Sequence, residues 1–414
     1  MTQQIFTHQF ANGLTLLAES MDWLESAAFS LLLPAGCAYD PLDRLGLSNF
    51  TCEMVRRGCG DRTARQFVDD LENLGVDRSA SVGTSHTSYG GAMPADSLYP
   101  ALEIHADLVQ RPLLPEEQLD EGRQVCLQEI WSVEDDLAQR AMLEVRHRFY
   151  ADPFGRANHG LESAVEATTT ADIRGFFQNY YGPRNAILSV AGKIRWPELV
   201  ENVERLFGAW QPQSGLAVAE VAPPDGNAHL EHDSNQTHIG IAYRNVPYGH
   251  PDYYQARGAI GVLSDGMSSR LFTEVREKRG LCYTVYAICH SLRDRGAVMC
   301  YAGTTTERAQ ETLDVTVAEL LRLRNGVQAG ELDRLKARIK TALIMQQESS
   351  YSRASSIAAD WYFLNRVQTL AEVRQIIDGL TCDTINRYLA DNPPDGFRIV
   401  TLGAEPLETP VGIS

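Results

Sequence analysis

The segment Gly46–Gly58, GLSNFTCEMVRRG, puts an amide, a thiol, a carboxylate and a guanidinium within a few turns of helix. On a helical wheel Leu47, Phe50 and Met54 share one side and point into a core. Asn49, Cys52, Glu53 and Arg56 recur at helical spacing on the other side. Gly58 suits the left-handed residue that stops a helix. The chemistry open to such a face is limited. A thiolate at Cys52 and a carboxylate at Glu53 can coordinate zinc, whereas the Asn49 amide is a poor ligand. Cys52 as a nucleophile would need an imidazole beside it, and the local sequence offers none. The Arg56 guanidinium can hold a carboxylate through two parallel hydrogen bonds.

Other reactive residue types are scattered. His229, His232 and His238 form the densest group of histidines, but they follow a linker and lead into a strand, so they read as surface or strand residues. His86 and His105 stand apart. SVGTSHTSYGG has no phosphate-loop lysine and reads as a hairpin, and no Gly-x-Ser-x-Gly elbow marks a serine hydrolase. The eight cysteines include no Cys-x-x-Cys pair, which argues against a zinc ribbon and for reduced thiols of a cytoplasmic protein.

The chain has 414 residues, 44% of them hydrophobic, which predicts two or three packed domains. A formal charge of -17 disfavours nucleic acid as a partner, because phosphates are neutralised by Lys and Arg. It would attract basic peptides, although solubility accounts for it equally well. The start, MTQQIFTHQFANG, has neither the basic residues nor the apolar stretch of a signal peptide, and no run is apolar enough to span a bilayer. Two long segments follow the same plan. Leu119–Gly192 and Leu332–Gly403 each begin with a long helical pattern, pass a threonine able to cap a further helix, and end in a β-branched strand and glycine. Helices are expected around residues 63–74, 115–145, 307–325 and 330–365. Strands are expected at LTLLAES, AAFSLLLPAG, RSASVGTSHTSYGGAMP, HIGIAYRNVP, AVMCYAGTTT and FRIVTLG. These elements predict an α+β protein of two homologous halves, residues 1–212 and 228–414. The Pro-containing stretch 213–227 is the expected linker.

The surroundings of the first segment resemble the pitrilysin/insulinase family of inverted zinc peptidases, in particular its mitochondrial-processing-peptidase-like branch. Members of that family carry His-x-x-Glu-His on this helix and a third ligand, a glutamate, roughly 75 residues downstream. The motif falls here on Asn49, Cys52 and Glu53, and Glu129 in QVCLQEIWSVEDD matches the distal glutamate. The resemblance thus implies a degenerate metal site: the carboxylate remains while both histidines and the base are replaced. Two carboxylates brought together without a metal repel one another. Arg56 either substitutes for the missing charge beside Glu53 and Glu129 or is a solvated surface arginine, and the sequence leaves both open.

A second segment, LSDGMSSRLFTEVREKRGLCYTVYA, resembles the family's other functional stretch. Arg276 and Tyr283 match a conserved-type Arg/Tyr pair that, in active members, holds substrate backbone and stabilises the tetrahedral intermediate. A fixed cation and a phenol can donate to a developing oxyanion without abstracting a proton. Leu263–Met267 is shorter than the glycine-rich loop of the noncatalytic processing-peptidase subunit, so capture of presequences by such a loop is not expected. The resemblance implies antiparallel-rich sheets covered by long helices, of the LuxS and processing-peptidase type. It also implies a noncatalytic subunit that binds a peptide substrate through Arg276 and Tyr283, has no catalytic residue or metal of its own, and pairs with a homologous chain bearing the zinc. Two alternatives are a structural homologue with no proteolytic role and a divergent metalloenzyme using Cys52, Glu53 and Glu129.

Overall fold

The protein is described here by a computed structural model covering residues 3–213, 215 and 218–410. Its strands in chain order are β1 (Gln4–Gln9), β2 (Thr15–Ser20), β3 (Ser26–Leu33), β4 (Gly58–Cys59), β5 (Arg62–Thr63), β6 (Asp77–Val82), β7 (Thr87–Pro94), β8 (Ile187–Gly192), β9 (Ala228–Glu231), β10 (Gln236–Asn245), β11 (Cys282–Ser291), β12 (Gly296–Thr305) and β13 (Arg398–Gly403). One six-stranded sheet runs β1-β2-β8-β3-β7-β6, and a five-stranded sheet runs β11-β12-β10-β13-β9. Both are antiparallel except at one pair, β2 with β8 and β9 with β13. The two exceptions occupy corresponding places, so the repeat expected from Leu119–Gly192 and Leu332–Gly403 extends to sheet topology. Thr169 and Thr381 each form a capping box at the start of the helix before the last repeat strand.

The chain forms two compact units that are discontinuous in sequence. The first comprises residues 1–132, 156–220 and 344–369, and the second comprises residues 133–155, 221–343 and 370–414. Each half therefore lends a helical segment to the other half's unit, where a division at a linker gives two contiguous blocks. Of the expected linker, Ser214, Leu216 and Ala217 lie outside the described residues; Val221 bridges Asp152 within the second unit. The exchange explains why two expected helices are each broken once. The 115–145 pattern divides into Leu119–Asp135 and Leu137–Phe149, with the Asp136 side chain accepting from Gln139 N at 3.0 Å. The 330–365 pattern divides into Ala329–Gln346 and Ser350–Leu364, with Ser349 Oγ accepting from Ser352 N at 3.2 Å. A side-chain cap starts a new helix where periodicity alone predicts continuation.

The lent helices explain strands that are apolar on both faces. In β3, Ala27, Phe29, Leu31 and Leu33 enter the main core of the first unit, which also holds Phe50, Met54 and Leu102. Its alternate residue Ala28 packs with Ala354 of the Ser350–Leu364 helix, while Leu32 joins the cluster containing Ile357 and Ala358. In the second unit Ile239, Ile241 and Tyr243 of β10 enter the core, while Ala242 meets Val145 of the Leu137–Phe149 helix. Gly240 lies under that helix: a Cβ there would approach the Ala141 carbonyl oxygen to 3.1 Å.

One buried ion pair fixes the lent helix in the first unit. Arg353 Nε donates to Glu19 Oε2 of β2 at 2.8 Å, and both side chains are at most 2% exposed. Gln3 holds the other Glu19 oxygen, while Arg353 Nη2 finds no acceptor among the described residues. Removing one partner of such a pair strands the other charge. Arg353→Met should therefore lower stability by about 3–5 kcal/mol in urea denaturation, and adding Glu19→Leu should recover much of the loss. A single variant as stable as the parent would show that the pair does not hold this helix.

Candidate functional site

The Leu47–Val55 helix opens on Gly46, whose φ of +98° is open to glycine at little strain. Asp40 performs the capping from a distance. Its carboxylate accepts from Gly46 N and Ser48 N, each at 2.8 Å, and from Ser48 Oγ at 3.2 Å. Burial raises the Asp40 pKa to about 7, against the pull of those hydrogen bonds and of the Arg156 charge. Arg156 Nη1 also donates to the Asp40 carbonyl at 2.6 Å. Leu47, Phe50 and Met54 are buried as the wheel requires, and Gly58 follows the helix with φ +111°.

On the opposite side the residues meet in an order that the sequence only partly indicates. Asn49 Nδ2 donates to Glu129 Oε2 at 2.7 Å, so the distal glutamate does reach this helix. Glu53 is bonded by two arginines. Arg56 Nη2 takes its Oε2, and Arg57 takes its Oε1 through Nη2 at 2.9 Å and Nε at 3.2 Å. Arg56 Nε further donates to the Cys52 carbonyl at 3.2 Å. Burial opposes the Arg56 charge, but nearby acidic groups, Glu53 and Glu129 among them, outweigh it and raise its pKa. Of the two readings left open for Arg56, the structure has the one beside Glu53: its guanidinium is hydrogen-bonded to Glu53 and lies near Glu129 without a hydrogen bond to it. Asn49 takes the bond to Glu129 instead. Arg57 was not anticipated, although its place four residues after Glu53 was the available signal.

Cys52 also departs from the wheel, since it is 3% exposed and belongs to the core. Burial pushes its thiol pKa up, while Arg56 and a hydrogen bond with Tyr89 pull the other way. Tyr89 in turn shares a 2.9 Å hydrogen bond with Tyr181. A neutral thiol tied to buried phenols is neither a thiolate ligand nor a nucleophile. Among the described residues no three His, Cys, Asp or Glu side chains are grouped to hold a metal ion. The donor chemistry agrees: Asn49 offers its amide as a donor, both Glu53 oxygens are taken by cations, and Cys52 is protonated. These residues do not fit a zinc site.

Arg276 and Tyr283 come together in the second unit. Residues Phe272–Glu277 form a π-helical stretch, which Gly280 ends with φ +58°. The wider turn stacks the Arg276 guanidinium between two rings, with its carbon 4.8 Å from the Phe272 centroid and 4.9 Å from that of Tyr283. The register of β11 against β12 shifts between Cys282 and Thr284, leaving Tyr283 as the unpaired residue of a bulge. A bulge re-aims its side chain, and Tyr283 is 82% exposed. Among the described residues no carboxylate is within ion-pair distance of Arg276. The pair therefore presents guanidinium N–H groups and a phenol together. Helical spacing indicated the helix and strand; the π turn, the bulge and Phe272 had no legible signal. Of the histidines singled out in the sequence, His229 is bonded to Thr401, His238 to Tyr301 and His105 to the Ala101 carbonyl, while His86 packs edge-on against the Tyr362 ring.

Thiol alkylation followed by peptide mass mapping checks the state of Cys52. In the folded protein the half-buried Cys289 and Cys382 should react first, with Cys52 and Cys126 reacting only on unfolding. Rapid modification of Cys52 in the native state would contradict the buried, protonated thiol.

The chain is similar to known proteins along most of its length. A family model described as "Insulinase (Peptidase family M16)" matches residues 16–158, and one described as "Peptidase M16 inactive domain" matches residues 167–339. The first span includes Asn49, Cys52, Glu53 and Glu129, and the second includes Arg276 and Tyr283. An "Uncharacterized zinc protease" of Rickettsia felis is 26% identical, over 93% of this chain and 94% of its own length. One of Bacillus subtilis is also 26% identical, over 91% and 92%. A crystal structure titled as a peptidase M16 inactive domain from Pseudomonas fluorescens shares the fold with a TM-score of 0.89 at 23% identity, covering 98% of this chain and 99% of that one. A protease from Helicobacter pylori shares it with a TM-score of 0.87 at 21% identity, covering 98% and 100%. With consecutive models of one family matching residues 16–158 and 167–339, together most of the chain, the chain belongs to the insulinase family, peptidase family M16.

Proposed function

We propose that this chain is the noncatalytic, peptide-binding subunit of a two-chain M16 peptidase, with Arg276 and Tyr283 as its substrate-binding residues and zinc on a homologous partner. The observation that carries the reading is the contrast between the two motifs. The half-buried Arg276 is assembled against the exposed Tyr283 with donors available, while both oxygens of Glu53 are occupied by Arg56 and Arg57. A residue set of the first kind can act on a substrate carbonyl, and one of the second kind cannot activate water.

In this reading the partner supplies a His-x-x-Glu-His helix, its metal and the attacking water. Arg276 and Tyr283 donate to the carbonyl of the bound peptide and to the oxyanion that develops from it, which lowers the barrier without any proton leaving this chain. The stack on Phe272 limits the rotamers of Arg276 before substrate arrives, and such preorganisation favours the transition state. Eight free cysteines fit a reducing compartment, and the proposed location is the cytoplasm. No described helix is long and apolar enough to cross a membrane.

Peptide cleavage by a partner chain with an intact His-x-x-Glu-His motif, measured with and without this chain, tests the proposal. Adding this chain should raise the rate, and Arg276→Ala/Tyr283→Phe should lower kcat by about 10²–10³-fold, the usual loss for an oxyanion donor. Unchanged cleavage with the double variant would remove the assigned role.

A further inference from the structure

We infer that Arg56 and Arg57 stand in for a divalent cation: they neutralise the Glu53 carboxylate and keep cations off it. This inference concerns the first unit alone and does not depend on the proposed role of Arg276 and Tyr283.

Three observations support it. Glu53 is only partly accessible, with 14% of its side chain exposed, so a lone charge there would be poorly solvated. Its two oxygens are divided between the two guanidiniums, which hold both of them as a bidentate metal would. The neighbouring carboxylate, Glu129, is turned toward the same helix and held by Asn49. Two carboxylates of one helix face and its neighbour thus coexist with two positive charges on i+3 and i+4 positions. A further cation approaching Glu53 would meet the Arg56 and Arg57 guanidiniums. The arginines differ in their surroundings: 34% of the Arg56 side chain is exposed and 17% of Arg57.

The donor atoms determine which ion removal of the arginines would admit. Glu53 and Glu129 offer carboxylate oxygens, while Asn49 presents its amide N–H to Glu129 and Cys52 remains a buried thiol. An all-oxygen set suits manganese or calcium better than zinc. Manganese is therefore the probe of choice, because its free aquo ion is counted directly by electron paramagnetic resonance.

The test uses the full chain and the variants Arg56→Gln, Arg57→Gln and the double Arg56→Gln/Arg57→Gln. The parent should take up no manganese at this site. The double variant should melt about 4–8 °C lower, bind manganese, and recover its melting temperature as manganese is added. Adding Glu129→Gln should abolish both uptake and recovery. If the double variant does not fold, the more exposed Arg56→Gln variant decides by the same two readouts. Uptake by the parent at the same affinity as by the variants would overturn the inference. So would a folded variant that neither binds manganese nor is stabilised by it.

Discussion

Two guanidiniums on one partly buried carboxylate determine what the first unit can be. Once Arg56 takes Oε2 and Arg57 takes Oε1 of Glu53, three of that carboxylate's roughly four lone-pair positions are filled by guanidinium donors. The consequences spread along the helix. Asn49 is free to turn its amide N–H groups to Glu129, and Cys52 can sink into the core against Tyr89 because no ligand or base is needed there. Substituting one histidine would not undo this arrangement, since the positive charges and the buried thiol would remain. Two hydrogen-bonded groups thus lie along the helix, Asn49 with Glu129 and Glu53 with Arg56 and Arg57.

The network needs a stable platform, which the exchange of helices between the halves supplies. In each unit a sheet that is apolar on both faces is covered on one side by its own helices and on the other by a helix from the opposite half of the sequence. Small residues allow close packing at both places, Ala354 and Ala358 over the first sheet and Gly240 beneath the second helix. Ser189 Oγ donating to the Ala354 carbonyl at 2.6 Å and Arg353 bonded to Glu19 set the register of the first lent helix. The buried pair is not a large source of stability, because desolvation offsets most of its attraction. It specifies instead where that helix docks.

Much of this was legible in the sequence, and the reasons for the rest are physical. Nine of the thirteen strands (not β1, β4, β5 or β9), the capping threonines Thr169 and Thr381, the core side of the Leu47–Val55 helix and the approach of Glu129 follow from periodicity, cap chemistry and family resemblance. The breaks at Asp136 and Ser349 were not read, because a good helical pattern conceals a side-chain cap in its middle. The interleaved units escaped for a related reason: hydrophobic pattern tells that a helix has a buried face but not which sheet receives it. Cys52 was placed on the polar face because a thiol is amphipathic on a wheel, and only its neighbours Tyr89 and Tyr181 decide its burial. Arg57 was passed over beside Arg56, although both lie within one turn of Glu53. The bulge that exposes Tyr283 depends on a register shift against β12, which no single segment encodes.

In this account the chemistry of the chain is the donation of hydrogen bonds, with no ability to activate water itself. Peptide hydrolysis by the purified chain alone, with and without added zinc, tests that claim most directly. The account predicts no cleavage above the uncatalysed background in either condition. Zinc-dependent cleavage, lost on Glu53→Gln or Glu129→Gln, would contradict it.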